Sequence, residues 1–177
     1  LRSTLNAIRA ELGQVAFDKM LDALPPSDFR DAALAGRVLA ASWYPIRVNR
    51  DLYAAIAKVA PNERNIPRRI SARSAEDDMR GIYSYIARLL SAETLAGIAP
   101  RILSTYFRGP VVTTEHVEPR AATIHFAGFR GFDNDLWDGT LCGCETIMRM
   151  AGHKNVQSER KSLSRLEHAL VRFTWTV

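Results

Sequence analysis

The stretch Val111–Phe126, VVTTEHVEPRAATIHF, followed by Asn134–Ala151, NDLWDGTLCGCETIMRMA, decides the fold class. Two β-branched or alternating runs, 111–117 and 122–126, flank Glu118-Pro119-Arg120, which predicts a hairpin. The period then changes. Leu136, Thr140, Cys144, Ile147, Met148 and Ala151 recur at helical spacing and predict a helix with that inner face. The same geometry puts Cys142 with Asp138, Glu145 and Arg149 on the polar face, so Cys144 reads as the core cysteine and Cys142 as a surface thiol. A strand near Val156, a charged turn from Glu159 to Arg165, and a strand with Ala169, Val171, Phe173, Trp175 and Val177 facing one way complete a ββαββ unit.

Upstream, the period is helical throughout. Leu5, Ile8, Leu12, Phe17, Met20, Leu21 and Leu24 predict one kinked helix or two short ones, with a phase shift at Gly13 and a stop at Pro25-Pro26. After Trp43-Tyr44-Pro45, Asn49 is placed to cap a helix from Arg50 to Ala60. Ser74 and Asp77 read as a capping box opening a helix that carries Met79, Ile82, Tyr83, Ile86, Leu89 and Leu90 on one face. Ser91 caps a fourth, with Leu95, Ile98, Ile102, Leu103 and Tyr106 on one stripe, kinked or divided at Pro100 and ended by Gly109-Pro110. The expected fold is α+β. An N-terminal layer of about four helical units, residues 1–108, packs on the ββαββ part, residues 109–177, whose sheet is antiparallel; the whole is expected to be a single domain sharing one core.

A chain of 177 residues, 47% apolar and 24% charged, can bury such a core. No apolar run is long enough to span a bilayer and no signal peptide is legible, so a cytoplasmic location is expected. The chain begins at Leu1 rather than Met and ends in a strand-like run, which leaves room for flanking domains. Two cysteines one residue apart are too few for a disulfide scaffold and favour a reducing compartment. A net charge of +5 with acidic residues throughout does not single out nucleic acid as a partner.

The segments Leu90-Ser91-Ala92-Glu93-Thr94-Leu95, Tyr106-Phe107-Arg108-Gly109, Leu136-Trp137-Asp138-Gly139 and Phe173-Thr174-Trp175 resemble the superfamily of four-vinyl-reductase-type small-molecule-binding domains, to which TRAPP vesicle-transport subunits and H-NOX haem sensors are related in fold. Trp43-Tyr44-Pro45 followed by a helix resembles an uncharacterised myxobacterial family of the same group. The resemblance covers most of the chain from about residue 40 onward. It implies helices on a twisted antiparallel sheet with a hydrophobic cavity between them, used in relatives for aromatic effectors, an acyl chain or haem. Fold does not choose among these.

For haem, the Tyr-x-Ser-x-Arg motif that grips the propionates is missing, residues 134–152 hold no His, and a thiolate from Cys142 or Cys144 would be the substitute ligand. No cofactor is expected. His116, His125 and His168 could meet across strands, but His116, His125, His153 and His168 lack a metal-site spacing and read as isolated, His125 being the one placed to hydrogen-bond a ligand. No Gly-x-Ser-x-Gly elbow, phosphate loop or dinucleotide fingerprint occurs, so an enzyme is not expected. Asp133, Asp135 and Asp138 read as helix-initiating residues. Arg64, Arg68, Arg69 and Arg73, read as a linker, form the best anion or partner patch; without aromatic platforms nucleic acid is not the expected partner.

The expected function is a small-molecule-binding or sensory domain whose pocket, lined by Tyr83, Ile86, Ile102, Tyr106, Ile124, Phe126, Leu141 and Cys144, admits an apolar or aromatic molecule. Occupancy would be passed on through a homodimer surface or a protein partner. The alternative is an assembly module with a filled core and no ligand.

Overall fold

In a computed structural model, residues 1–40, 42–63, 65–80, 89–162 and 167–176 are described. Their order is α1 (Arg2–Leu12), α2 (Gln14–Asp22), α3 (Asp28–Leu34), α4 (Arg47–Val59), α5 (Ile66–Asp78), α6 (Ala92–Leu103), β1 (Val111–Glu118), β2 (Ala121–Ala127), α7 (Asn134–Met150), β3 (Lys154–Ser162) and β4 (Ala169–Thr176). This is the expected α+β arrangement, helices first and then a ββαββ unit with an antiparallel sheet. None of the described helices is long and apolar enough to cross a membrane.

The four strands lie in the order β1-β2-β4-β3. Alternation sets the inner face: Ala122, Ile124 and Phe126 on β2, and Ala169, Val171, Phe173 and Trp175 on β4, are all buried. The hairpin turns at Pro119-Arg120, where Arg120 takes φ 66°, and a bulge falls between Thr114 and His116. The charged segment after Val156 is strand rather than turn: Glu159 pairs with Arg172 and Arg160 with Val171. β3 is an edge strand, where charged residues are tolerated and the apolar alternation fades.

The helical layer keeps one of the two expected alternatives at Gly13 and departs from expectation at two helix starts. Gly13 at φ 78° divides α1 from α2, the two-helix alternative. Asn49 lies inside α4 rather than capping it, because Val48 N–H already donates to Pro45 O and the helix starts at Arg47. Ser74 and Asp77 are not a capping box either: they lie in the last turns of α5, which begins at Ile66 with Pro67 in its first turn. Ile82, Tyr83 and Ile86, expected on the helix after that cap, lie outside the described residues. Ser91 does cap α6, accepting from Thr94 N–H, and Pro100 is accommodated inside that helix.

Buried side chains form two main clusters. One joins α6, α7 and the sheet, with Phe126, Phe129 and Trp137 fully buried. The other joins α1 to α5 around Ile8, Met20, Leu52 and Ile70. Tyr53 of α4 packs against both. α7 is covered on two sides, chiefly by α5 and also by β3 and α4.

Candidate functional site

A cavity of about 930 Å³ lies where the helical layer meets α7 and the sheet. Its wall takes Ile70, Ser71 and Ala75 from α5, Leu95, Ala96 and Ile102 from α6, and Thr140, Cys144, Ile147 and Met148 from α7. The sheet contributes Ile124 and Phe173, and Phe129 and Phe132 close the side toward the loop before α7. At the rim, Arg108 stacks 4.4 Å above the Trp43 ring, both residues being exposed. The volume suits a drug-sized molecule.

Two glycines of α7 shape the deepest part. A Cβ on Gly139 would sit 3.1 Å from Tyr53 Oη, and one on Gly143 would sit 3.0 Å from Ser71 Oγ. Their absence of side chain lets α4 and α5 bring hydroxyls against the α7 backbone. Burial, reinforced by the negative charges of Asp135 and Asp133, pushes the Tyr53 phenol well above its usual range. Asp133 itself caps α7 by accepting from Leu136 N–H at 2.9 Å, as its helix-initiating position suggested.

Of the residues expected to line a pocket, Ile102, Tyr106, Ile124 and Cys144 are on the wall. Tyr83 and Ile86 lie outside the described residues. Phe126 and Leu141 are displaced from it. Phe126 points into an aromatic cluster, 5.6 Å from Phe129 and 5.7 Å from Trp137, and Leu141 is turned into the same core rather than toward the void. Several wall residues had no legible signal: Tyr53, Ser71, Gly139 and Gly143 matter because two helices approach, which periodicity along one helix does not reveal.

The two cysteines reverse part of the expected assignment. Cys142 is only 6% exposed, because α5 covers the face of α7 that sequence alone assigned to solvent. Cys144 is half-buried, and the surface it keeps opens onto the cavity. Burial pushes the Cys144 thiol up to about 12 and raises that of Cys142 as well.

The arginine run is helix rather than linker, and its charges are taken up internally. Arg68 Nη2 is 2.8 Å from Glu145 Oε2, and Glu145, 4% exposed, also accepts from Ser158 N–H at 3.1 Å and Ser158 Oγ at 2.6 Å. Arg69 pairs with Glu11 at 2.7 Å and Glu63 at 2.6 Å, and Arg73 reaches Glu11 at 3.5 Å. An anion patch is therefore not what these three form; they clamp α5 to α1 and α7. Arg64 lies outside the described residues. His125 stands on the outer face of the sheet, stacked 6.4 Å from His168 and 3.7 Å from Glu115, and so does not reach the cavity. Among the described residues no three metal-ligating side chains converge.

The fold is thus an α+β domain with a partly open, largely apolar cavity between its helices and an antiparallel sheet. Solved structures that share this fold include H-NOX domains. An oxygen-binding H-NOX domain related to soluble guanylate cyclases, in its oxygen complex, superposes with a TM-score of 0.68 at 15% identity, covering 98% of this chain and 91% of that one. The Fe(II) unliganded H-NOX protein from K. algicida gives 0.70 at 9% identity, covering 99% and 94%. A structure from work on modulating haem redox potential through porphyrin distortion gives 0.70 at 12%, covering 99% and 96%. The likeness is one of fold. No protein-family model matches the chain. No curated protein matches it by sequence.

Haem, which the fold implies, does not suit the donors on this wall. None of the four histidines, all of them described, lines the cavity. The Cys144 thiol, held up to about 12, stays protonated at neutral pH, as do the Tyr53 phenol and that of Tyr106, pushed up to about 12 by burial. Among the described residues the wall thus offers iron neither an imidazole nor a thiolate or phenolate, the axial donors that hold haem, and its one carboxylate is Asp78.

Proposed function

We propose that this chain is a cytoplasmic, non-enzymatic sensory domain that binds a small apolar or aromatic molecule in the cavity, without iron, and passes on its occupancy through a second copy or a protein partner. Residues 1–177 act as one unit in this reading, related to the four-vinyl-reductase-type and TRAPP-like domains and to the myxobacterial family as well as to H-NOX domains. The observation that carries it is the cavity of about 930 Å³, walled mainly by apolar and aromatic side chains, with polar residues such as Asp78 and Arg108 among them but no His. A ligand seated there touches α5, α6, α7 and the sheet together, so it favours one packing of helices on sheet by its preference for that packing.

Native mass spectrometry of freshly purified protein, an absorbance scan and a titration with Nile red test this. The expected result is saturable uptake of one dye per chain, displaced by any retained organic molecule, with no Soret band. A Soret band with the mass of haem would overturn the iron-free reading. Absence of dye uptake in a defined oligomer would leave the assembly module in its place.

A further inference from the structure

The cavity is not uniformly greasy. Tyr53 Oη and Ser71 Oγ converge on the notch that Gly139 and Gly143 leave in α7, and both residues are on the cavity wall. The unpartnered buried side-chain atoms among the described residues are His153 Nε2 and Arg160 Nη1 rather than these hydroxyls, which are open to the cavity. A hydroxyl on a cavity wall is free to exchange water for a hydrogen bond to whatever occupies the cavity. Thr146, also on α7, shows the usual solution: its hydroxyl donates back to Cys142 O at 2.8 Å. Tyr53 Oη instead faces the Gly139 notch, with its ring fixed by packing against both hydrophobic clusters. Its position therefore holds a donor aimed at an occupant.

The surrounding charge narrows what that occupant presents. Asp133 and Asp135 lie close enough to act on the phenol, and the field that disfavours a phenolate also disfavours a carboxylate or phosphate placed beside it. A cation would find no carboxylate in the notch, since neither Asp133 nor Asp135 is on the cavity wall and Asp133 is engaged with Leu136 N–H and with Arg50 at 3.6 Å. A neutral acceptor meets neither penalty.

We propose that the Tyr53–Ser71 notch is a polar subsite for a neutral carbonyl-type oxygen, so that the cavity selects uncharged, largely aromatic or apolar molecules bearing one ketone, amide or ester group. The inference rests on the ligand-binding reading of the cavity and deepens it. Tyr53 donates to the acceptor, Ser71 supplies a second donor, and the apolar wall formed by Ile124, Ile147, Met148 and Phe173 takes the rest of the molecule.

The test uses a matched pair of probes, methyl naphthyl ketone and isopropylnaphthalene, alike in shape but differing in the acceptor. Calorimetric titration of the full chain is expected to show the ketone binding about tenfold more tightly. Tyr53→Phe, which keeps the ring, should bring that ratio close to one by weakening the ketone alone; Ser71→Ala should reduce it partway. The carbonyl infrared band of the bound ketone should be shifted to lower frequency in the wild type and return toward its apolar-solvent value in Tyr53→Phe. Equal binding of both probes in the wild type, or a ratio and band unmoved by both substitutions, would overturn the subsite while the cavity reading stands. Binding of neither probe would overturn both.

Discussion

Arg68 on α5 reaches 77 positions along the chain to place Nη2 2.8 Å from Oε2 of Glu145, a carboxylate almost wholly shielded from solvent by α5, α7 and β3. The other oxygen of Glu145 is held by Ser158, so one side chain ties three elements. Removing Arg68 leaves the buried carboxylate only the longer ion-pair contact to Arg149, 3.6 Å from Oε2, whereas neutralising the carboxylate leaves no buried charge. Arg68→Ala is therefore expected to lower stability by about 2–3 kcal/mol and Glu145→Gln by about 1 kcal/mol. Urea midpoints of the two variants check the order; a cost for Arg68→Ala below that of Glu145→Gln would make this an ordinary surface bridge.

A second expectation concerns the α5–α7 contact. Alanine is normally the better helix residue by about 1 kcal/mol, but a Cβ at Gly143 meets Ser71 Oγ at 3.0 Å. Gly143→Ala should then be destabilising by about 1 kcal/mol net, overpacking outweighing propensity. Ser71→Ala removes the obstructing oxygen, so the double variant should recover stability to the wild-type level or above. Thermal unfolding of the four proteins gives the coupling, and simple additivity would show that the contact is relaxed elsewhere.

The raised Cys144 thiol sets an alkaline limit. The folded chain keeps its proton up to about 12, against an ordinary value of 9.0. Between those values the unfolded chain holds fewer protons, so stability complete below about pH 9 is lost as pH rises toward about 12, by on the order of 1 kcal/mol per unit. Cys144→Ala should flatten that decline between about pH 9 and pH 11 relative to the wild type, whatever it costs in packing at neutral pH. Urea midpoints across this range provide the measurement. Equal slopes in the two proteins would mean that other groups set the alkaline loss.

How much was legible before the structure follows from where each signal resides. β2 and β4 alternate cleanly because one face is core, and α7 announces itself through Asp133 and a run of apolar residues at helical spacing. α5 was opaque: its buried residues, Ile66, Ile70 and Ala75, are few, and its arginines look like a solvated linker until their carboxylate partners, far away in sequence, are brought up. α3 had a readable cap in Ser27, which accepts from Arg30 N–H, but only seven residues, about two turns, of helix to follow it. The misplacement of Cys142 has the same origin as the missed cavity. An amphipathic pattern tells which face prefers a core, not that a second helix will cover the other face or stop short of it.

The packing of Tyr53 against both hydrophobic clusters has a consequence for how the molecule opens. Two cores joined across a void are free to exchange their amides as separate cooperative units, α1 to α5 on one side and α6, α7 and the sheet on the other. A molecule filling that void adds contacts that belong to both units and to neither alone. Its occupancy would be written in the protection of amides on both sides at once, as two partial openings fuse into one global unfolding.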